Sequence, residues 1–118
     1  MRILYSVSPT EAKSLDSEAL RKRFLIGDLF QPDQIQMNYS LDDRMLVIGA
    51  QPVSKELPLE VGPEISGTDF PLQRRELGVV NLGGSGAVTI DGRSYTLEKG
   101  EFLYVGNGAR KVAFAAAS

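Results

Sequence analysis

Apolar residues recur along this chain with a helical spacing at first and a strand spacing later, and the change falls near Ile26. Ser8-Pro9-Thr10-Glu11 has the form of a capping box. Ser8 is the N-cap, Pro9 takes the first helical position and Glu11 reaches back. A second start signal sits at Asp16 or Ser17, and Leu20 and Phe24 follow at helical spacing with Arg21, Lys22 and Arg23 between them. The pattern predicts two short helices, 9–14 and 17–23, on the outside of a β-domain. Arg21-Lys22-Arg23 reads either as an anionic-ligand patch or as a solvated helix end, and the helix dipole favours the second.

From Ile26 onward the pattern predicts strands. Ile35–Ser40 alternates with period two. Leu41-Asp42-Asp43 is a turn, and Asp42-Asp43 reads as a solvated turn rather than a hard-cation site, since no third carboxylate is near in sequence. Met45–Ala50 is a continuous apolar run, the mark of a strand covered on both faces. Pro52, Pro58, Gly62, Pro63, Gly67 and Pro71 make residues 52–71 a mostly extended connection, with a short edge strand around 55–59. Residues 77–82 form a strand, and Gly83-Gly84-Ser85-Gly86 a turn or bulge. Those glycines precede no helix and no Lys-Ser/Thr, so they are turn chemistry and not a phosphate loop. Strands 87–90 and 94–97 flank Asp91-Gly92, a two-residue hairpin signal. Glu98-Lys99-Gly100 is another turn, and strands 102–105 and 111–114 flank Gly106-Asn107-Gly108. Short strands with closely spaced turns argue for a sandwich or barrel. The sequence stops at Ser118, directly after a strand, behind a small-residue tail, AFAAAS. A barrel of this kind needs a further strand to close, so the reading is a fragment of a longer protein or a domain completed by a strand from elsewhere.

Composition narrows the chemistry more than the fold. At 118 residues, with 42% hydrophobic and 24% charged, the chain is expected to form one globular domain. A net charge of −2 implies neither a nucleic-acid nor a membrane partner. The N-terminus lacks the apolar stretch of a secretory signal and no run approaches a membrane span, so a cytoplasmic protein is expected. There is no cysteine and no histidine. That removes disulfides, thiolate metal sites, imidazole bases and the Ser-His-Asp triad, and leaves only oxygen ligands for any metal.

The stretch from Glu76 to Gly108 carries a family pattern. It holds Glu76, then Gly84-Ser85-Gly86, the hairpin Ile90-Asp91-Gly92, and Gly100-Glu101-Phe102-Leu103-Tyr104-Val105-Gly106-Asn107-Gly108. This resembles the two cupin motifs, an acidic residue and a glycine followed by a hairpin and then G-[DE]-x-x-x-V-x-x-G. More narrowly, RRELGVVNLGGSGAVTIDG with LYVGNGARKVAFA, together with LDSEALRKRFLI and MNYSLDDRMLVIGAQPV, is similar to the N-terminal half of the 5-keto-4-deoxyuronate isomerases. The similarity is weakest in 55–68. The related 5-deoxy-glucuronate isomerases of inositol catabolism match less well.

The resemblance implies a mainly β fold, a cupin-like double-stranded β-helix or jelly-roll barrel with short N-terminal helices. It makes 1–118 a single cupin-like domain, with 1–25 its helical segment and 26–118 its barrel, and the N-terminal half of a two-cupin enzyme more than twice as long. It further implies a homo-oligomer, a hexamer, and a sugar-acid substrate. The implied reaction is the ketol-isomerisation of 5-dehydro-4-deoxy-D-glucuronate to 3-deoxy-D-glycero-2,5-hexodiulosonate in pectin and uronate breakdown. A zinc-type site of histidines and a glutamate is implied for the C-terminal cupin, and no metal or other cofactor for this chain. The cupin ligand positions are filled otherwise here. The His-x-His pair falls near Pro71 and Gln73 or Phe70 and Leu72, the glutamate at Leu77, one beyond Glu76, and the later histidine at Lys111.

The polar residues that remain as candidate substrate contacts are Arg74, Arg75, Glu76 and Lys111. In a strand Arg74 and Glu76 share one face and Arg75 takes the other. An arginine fork matches a uronate carboxylate, while an Arg–Glu pair at a subunit or domain interface explains the same residues. Lys111 reads as an anion contact or as an outward charge. Tyr39, Tyr95 and Tyr104 read as core or rim residues of strands. No catalytic residue is assigned. Three functions follow: a metal-free scaffold and oligomerisation half of the isomerase, inactive alone; a stand-alone cupin that binds a sugar acid as a sensor; or a small enzyme working through carboxylates or tyrosine.

Overall fold

The computed structural model describes residues 1–62 and 67–116. Pro63, within the expected connection, and the end of the small-residue tail at 117–118 lie outside the described residues. The chain is mainly β and divides into two compact units, Met1–Ala50 and Gln51 onward. Strands Ile35–Ser40 and Met45–Ala50 thus fall in the same unit as the helices.

In the first unit, Arg2–Leu4 forms strand β1, where a helical segment is expected. It pairs parallel with β2 (Ile35–Ser40), which pairs antiparallel with β3 (Met45–Ala50). Helix α1 (Pro9–Ala12) starts as expected, with Ser8 Oγ accepting from the Glu11 amide. The Glu11 carboxylate, however, pairs with Arg23 at 2.9 Å. Helix α2 (Ser17–Phe24) is capped by Asp16, which accepts from the Ala19 amide. At its other end the Arg2 guanidinium donates to the Lys22 and Leu25 carbonyls, which the helix itself leaves without donors. The apolar run of β3 is not covered on both faces: Met45 is exposed and residues 46–48 are half-buried, while Gly49 is buried.

In the second unit, β4 (Leu57–Pro58) is the short edge strand the prolines suggest. With β6 (Gly86–Ile90), β7 (Arg93–Leu97) and β9 (Val112–Ala116) it forms a four-stranded sheet in the order β4-β9-β6-β7. The β6–β7 hairpin turns at Asp91 (φ 48) and Gly92 (φ 85), both left-handed as a type I′ turn requires. One face of this sheet carries the buried Leu57, Val88, Leu97 and Val112, and the other carries Ala87, Thr89, Ser94, Thr96, Ala113 and Ala115. Strands β5 (Leu77–Val80) and β8 (Phe102–Val105) make a separate antiparallel ribbon. Leu59, Val61, Leu72 and Val105 are also buried and complete the core of this unit.

Asn81 ties the ribbon to the hairpin. Its Nδ2 donates to the Gly84 and Leu97 carbonyls, and its Oδ1 accepts from the Gly83 amide. Among the described residues the sheets stay open, three-, four- and two-stranded, and no closed barrel forms. The expected barrel is corrected on this point for a physical reason. Closure needs a hydrogen-bonded neighbour for every strand, and β4 and β7 each end their sheet.

Candidate functional site

The turn before β5 is built from its own polar groups. Thr68 donates to the Phe70 carbonyl at 2.8 Å, and Gln73 Oε1 accepts from the Asp69 amide at 2.9 Å. The loop after β8 lies against this turn. The Gly108 amide donates to the Leu72 carbonyl at 2.6 Å, from a backbone with φ 99 that favours glycine. The Arg110 guanidinium stands 4.7 Å from the centre of the Phe70 ring, a cation–π contact. The two stretches where the cupin resemblance places its histidines are therefore neighbours. They present Phe70, a buried Leu72 and Arg110 to each other. This donor set does not fit zinc, which takes imidazole, thiolate or carboxylate. No three carboxylates converge among the described residues.

The candidate contacts separate into two places. Arg74, Arg75 and Glu76 lead into β5, with Arg74 and Glu76 exposed and Arg75 half-buried. Lys111 directly precedes β9 and is exposed, and its backbone is engaged. The Lys111 amide donates to Asp91 Oδ1 at 2.8 Å, the Arg110 amide donates to the same carboxylate, and the Asp91 amide donates back to the Lys111 carbonyl.

Glu76 finds its partner across the ribbon. Gly78 stands directly opposite Tyr104, so Glu76 lies on the same face, one pleat away. The Tyr104 phenol is hydrogen-bonded to the Glu76 carboxylate. That bond, then desolvation, then the carboxylate's charge hold its pKa above the usual tyrosine value. A raised phenol pKa favours the neutral form in the folded state. The stabilisation is complete below the unfolded tyrosine pKa and is lost as pH rises through the folded one. In an absorbance titration the Tyr104 phenol is expected to ionise above the usual tyrosine range, and Glu76→Gln is expected to lower it. A single unshifted transition in the native chain would contradict this pairing. The pair is open to solvent, Tyr104 being 63% exposed. It lacks the water-excluded enclosure in which a carboxylate and a phenol become strong catalytic groups.

Tyr104 was legible as a strand residue but not as the partner of Glu76, because the register of β5 on β8 is a long-range fact. Asp91 and Asn81 were likewise read as turn and strand positions. Their organising roles come from segments 10 or more residues away.

No protein-family model matches the chain. Curated relatives match it from end to end. It is 49% identical over 118 residues to the 4-deoxy-L-threo-5-hexosulose-uronate ketol-isomerase of Opitutus terrae, covering 100% of this chain and 43% of that protein. The enzyme of the same name from Lachnoclostridium phytofermentans is 43% identical over 115 residues, 98% of this chain and 41% of the relative. That of Escherichia coli (strain SMS-3-5) is 44% identical over 117 residues, 98% and 42%. The chain is homologous to part of the 4-deoxy-L-threo-5-hexosulose-uronate ketol-isomerases. It spans about two fifths of the length of these ketol-isomerases. Among the described residues no helix is long and apolar enough to cross a membrane.

Proposed function

We propose that this chain is the N-terminal, cupin-like half of a ketol-isomerase acting on a deoxy-hexosulose uronate in uronate and pectin breakdown. The observation that carries the reading is the 49% identity to a protein of that name over every residue of the chain. The reaction moves a carbonyl along a sugar acid, by proton transfer between neighbouring carbons or with a metal polarising the carbonyl. In this half the positions of the cupin ligands hold Pro71 and Gln73 or Phe70 and Leu72, with Leu77 and Lys111. The half therefore serves as scaffold and oligomerisation surface of a cytoplasmic enzyme, and the catalytic metal belongs to the remainder. The hairpins at Asp91-Gly92 and the glycine turns before and after β8 support a jelly-roll arrangement for the second unit.

The test is an assay of the purified 118-residue chain against 5-dehydro-4-deoxy-D-glucuronate, with and without added zinc. No turnover above the uncatalysed rate is expected in either condition. Turnover by this chain alone would place the active centre within it and overturn the reading.

A further inference from the structure

The β5–β8 ribbon turns an apolar face outward. Leu77, Val79, Leu103 and Val105 point to the covered side, so the alternation leaves Val80, Phe102 and Tyr104 on the other, 48%, 68% and 63% exposed. Leu82, just beyond β5, is 61% exposed. A sheet with one wet face normally alternates apolar inside with polar outside. The four-stranded sheet of the same unit follows that rule more closely, with Thr89, Ser94 and Thr96 on the face opposite Val88 and Leu97. The departure is thus local to the ribbon. Its outward surface is also shaped. A Cβ built on Gly78 would lie 3.2 Å from Cζ of Phe102, so that ring lies across the glycine.

More than half of each relative lies outside the matched region, since the match covers 43%, 41% and 42% of them. We infer that the outward face of the β5–β8 ribbon, through Val80, Phe102 and Tyr104, is the seat of polypeptide that the relatives carry outside the matched region. This rests on the reading of the chain as one half of a longer isomerase. The size of the patch favours an attached segment over a second copy. The four side chains expose on the order of 500 Å², short of the roughly 800 Å² per partner that a free-standing association buries. A covalently attached segment needs less area, because its effective concentration is already high.

The chain has no cysteine, so Phe102→Cys provides a single reporter. Maleimide labelling at residue 102, read by mass spectrometry, is compared between the 118-residue chain and a full-length chimera. In the chimera these residues replace the matched region of the Opitutus terrae relative. Fast labelling of the chain alone and labelling at least roughly 10-fold slower in the chimera are expected. Phe102→Asp adds a second readout, a Tm within about 2 °C of the parent in the chain alone but lower by roughly 5 °C or more in the chimera. A cysteine at the matched position of the intact relative repeats the labelling in an uninterrupted protein. Equal rates in the short and long proteins overturn the inference. Concentration-dependent protection in the chain alone also overturns it, in favour of self-association. Turnover by the isolated chain would defeat the proposed function while leaving the labelling comparison readable.

Discussion

Gly49→Ala is expected to destabilise the N-terminal unit by about 3 kcal/mol or more. Gly49 is buried on β3, opposite Gln36 of β2. The segment containing Leu29 passes directly over it. A Cβ at this position would land on the Leu29 carbonyl oxygen and stand 2.7 Å from Leu29 Cγ. The obstacle is backbone, so no rotamer change relieves it, and the segment would have to lift from the sheet. Thermal unfolding followed by circular dichroism is expected to show a Tm lower by roughly 10 °C or more. Gly27→Ala is the control. A Cβ there meets nothing within 4 Å and the backbone φ is not left-handed, so that change is expected to be neutral or slightly stabilising. Equal melting of the two variants would contradict the close approach of Leu29.

Asn81→Ala is expected to cost the second unit about 2–3 kcal/mol. The half-buried side chain uses both its donor and acceptor ends, on the Gly84 and Leu97 carbonyls and the Gly83 amide. Its backbone adds bonds to Glu101 and Gly100. Truncation leaves three backbone groups without these partners at the junction of ribbon and hairpin. Asn81→Asp keeps the acceptor but turns a lone pair toward two carbonyls, so it is also expected to destabilise, and less in acid, where a protonated carboxyl can donate. Urea unfolding measures both. A midpoint for Asn81→Ala unchanged from the parent would show that the junction is held by other contacts.

Both predictions turn on residues whose importance is invisible in local pattern. The cap residues Ser8 and Asp16 were legible because a cap acts within three residues. The Asp91-Gly92 turn was legible because a two-residue hairpin needs left-handed φ at both positions. The edge strand at Leu57–Pro58 followed from proline's missing donor. Strand β1 was not legible, since three residues, Arg-Ile-Leu, carry no period, and its parallel pairing is set by residues some 36 positions away. The continuous apolar run of β3 misled for a related reason. Apolar content marks what can be covered, and the cover over Gly49 is one passing segment, not a second layer along the whole strand.

The candidate site divides in the same way. Arg74, Arg75 and Glu76 are expected to alternate along a strand, and the structure places them just before β5. The pairing of Glu76 with Tyr104 follows only from the register of β5 on β8. At Lys111 the fold uses the backbone, whose amide donates to Asp91.

By itself the sequence determined the strand-rich character, the helix starts, the tight turns and the relationship to the ketol-isomerases, because each rests on neighbouring residues or on the wording of the whole chain. Only the tertiary structure decided which strands pair, that the sheets remain open among the described residues, that Arg110 rather than the neighbouring Lys111 stands over Phe70, and that Tyr104 belongs to Glu76. Those are outcomes of long-range register, where the gain from one hydrogen-bonded alignment over its alternatives depends on every residue of both partners at once.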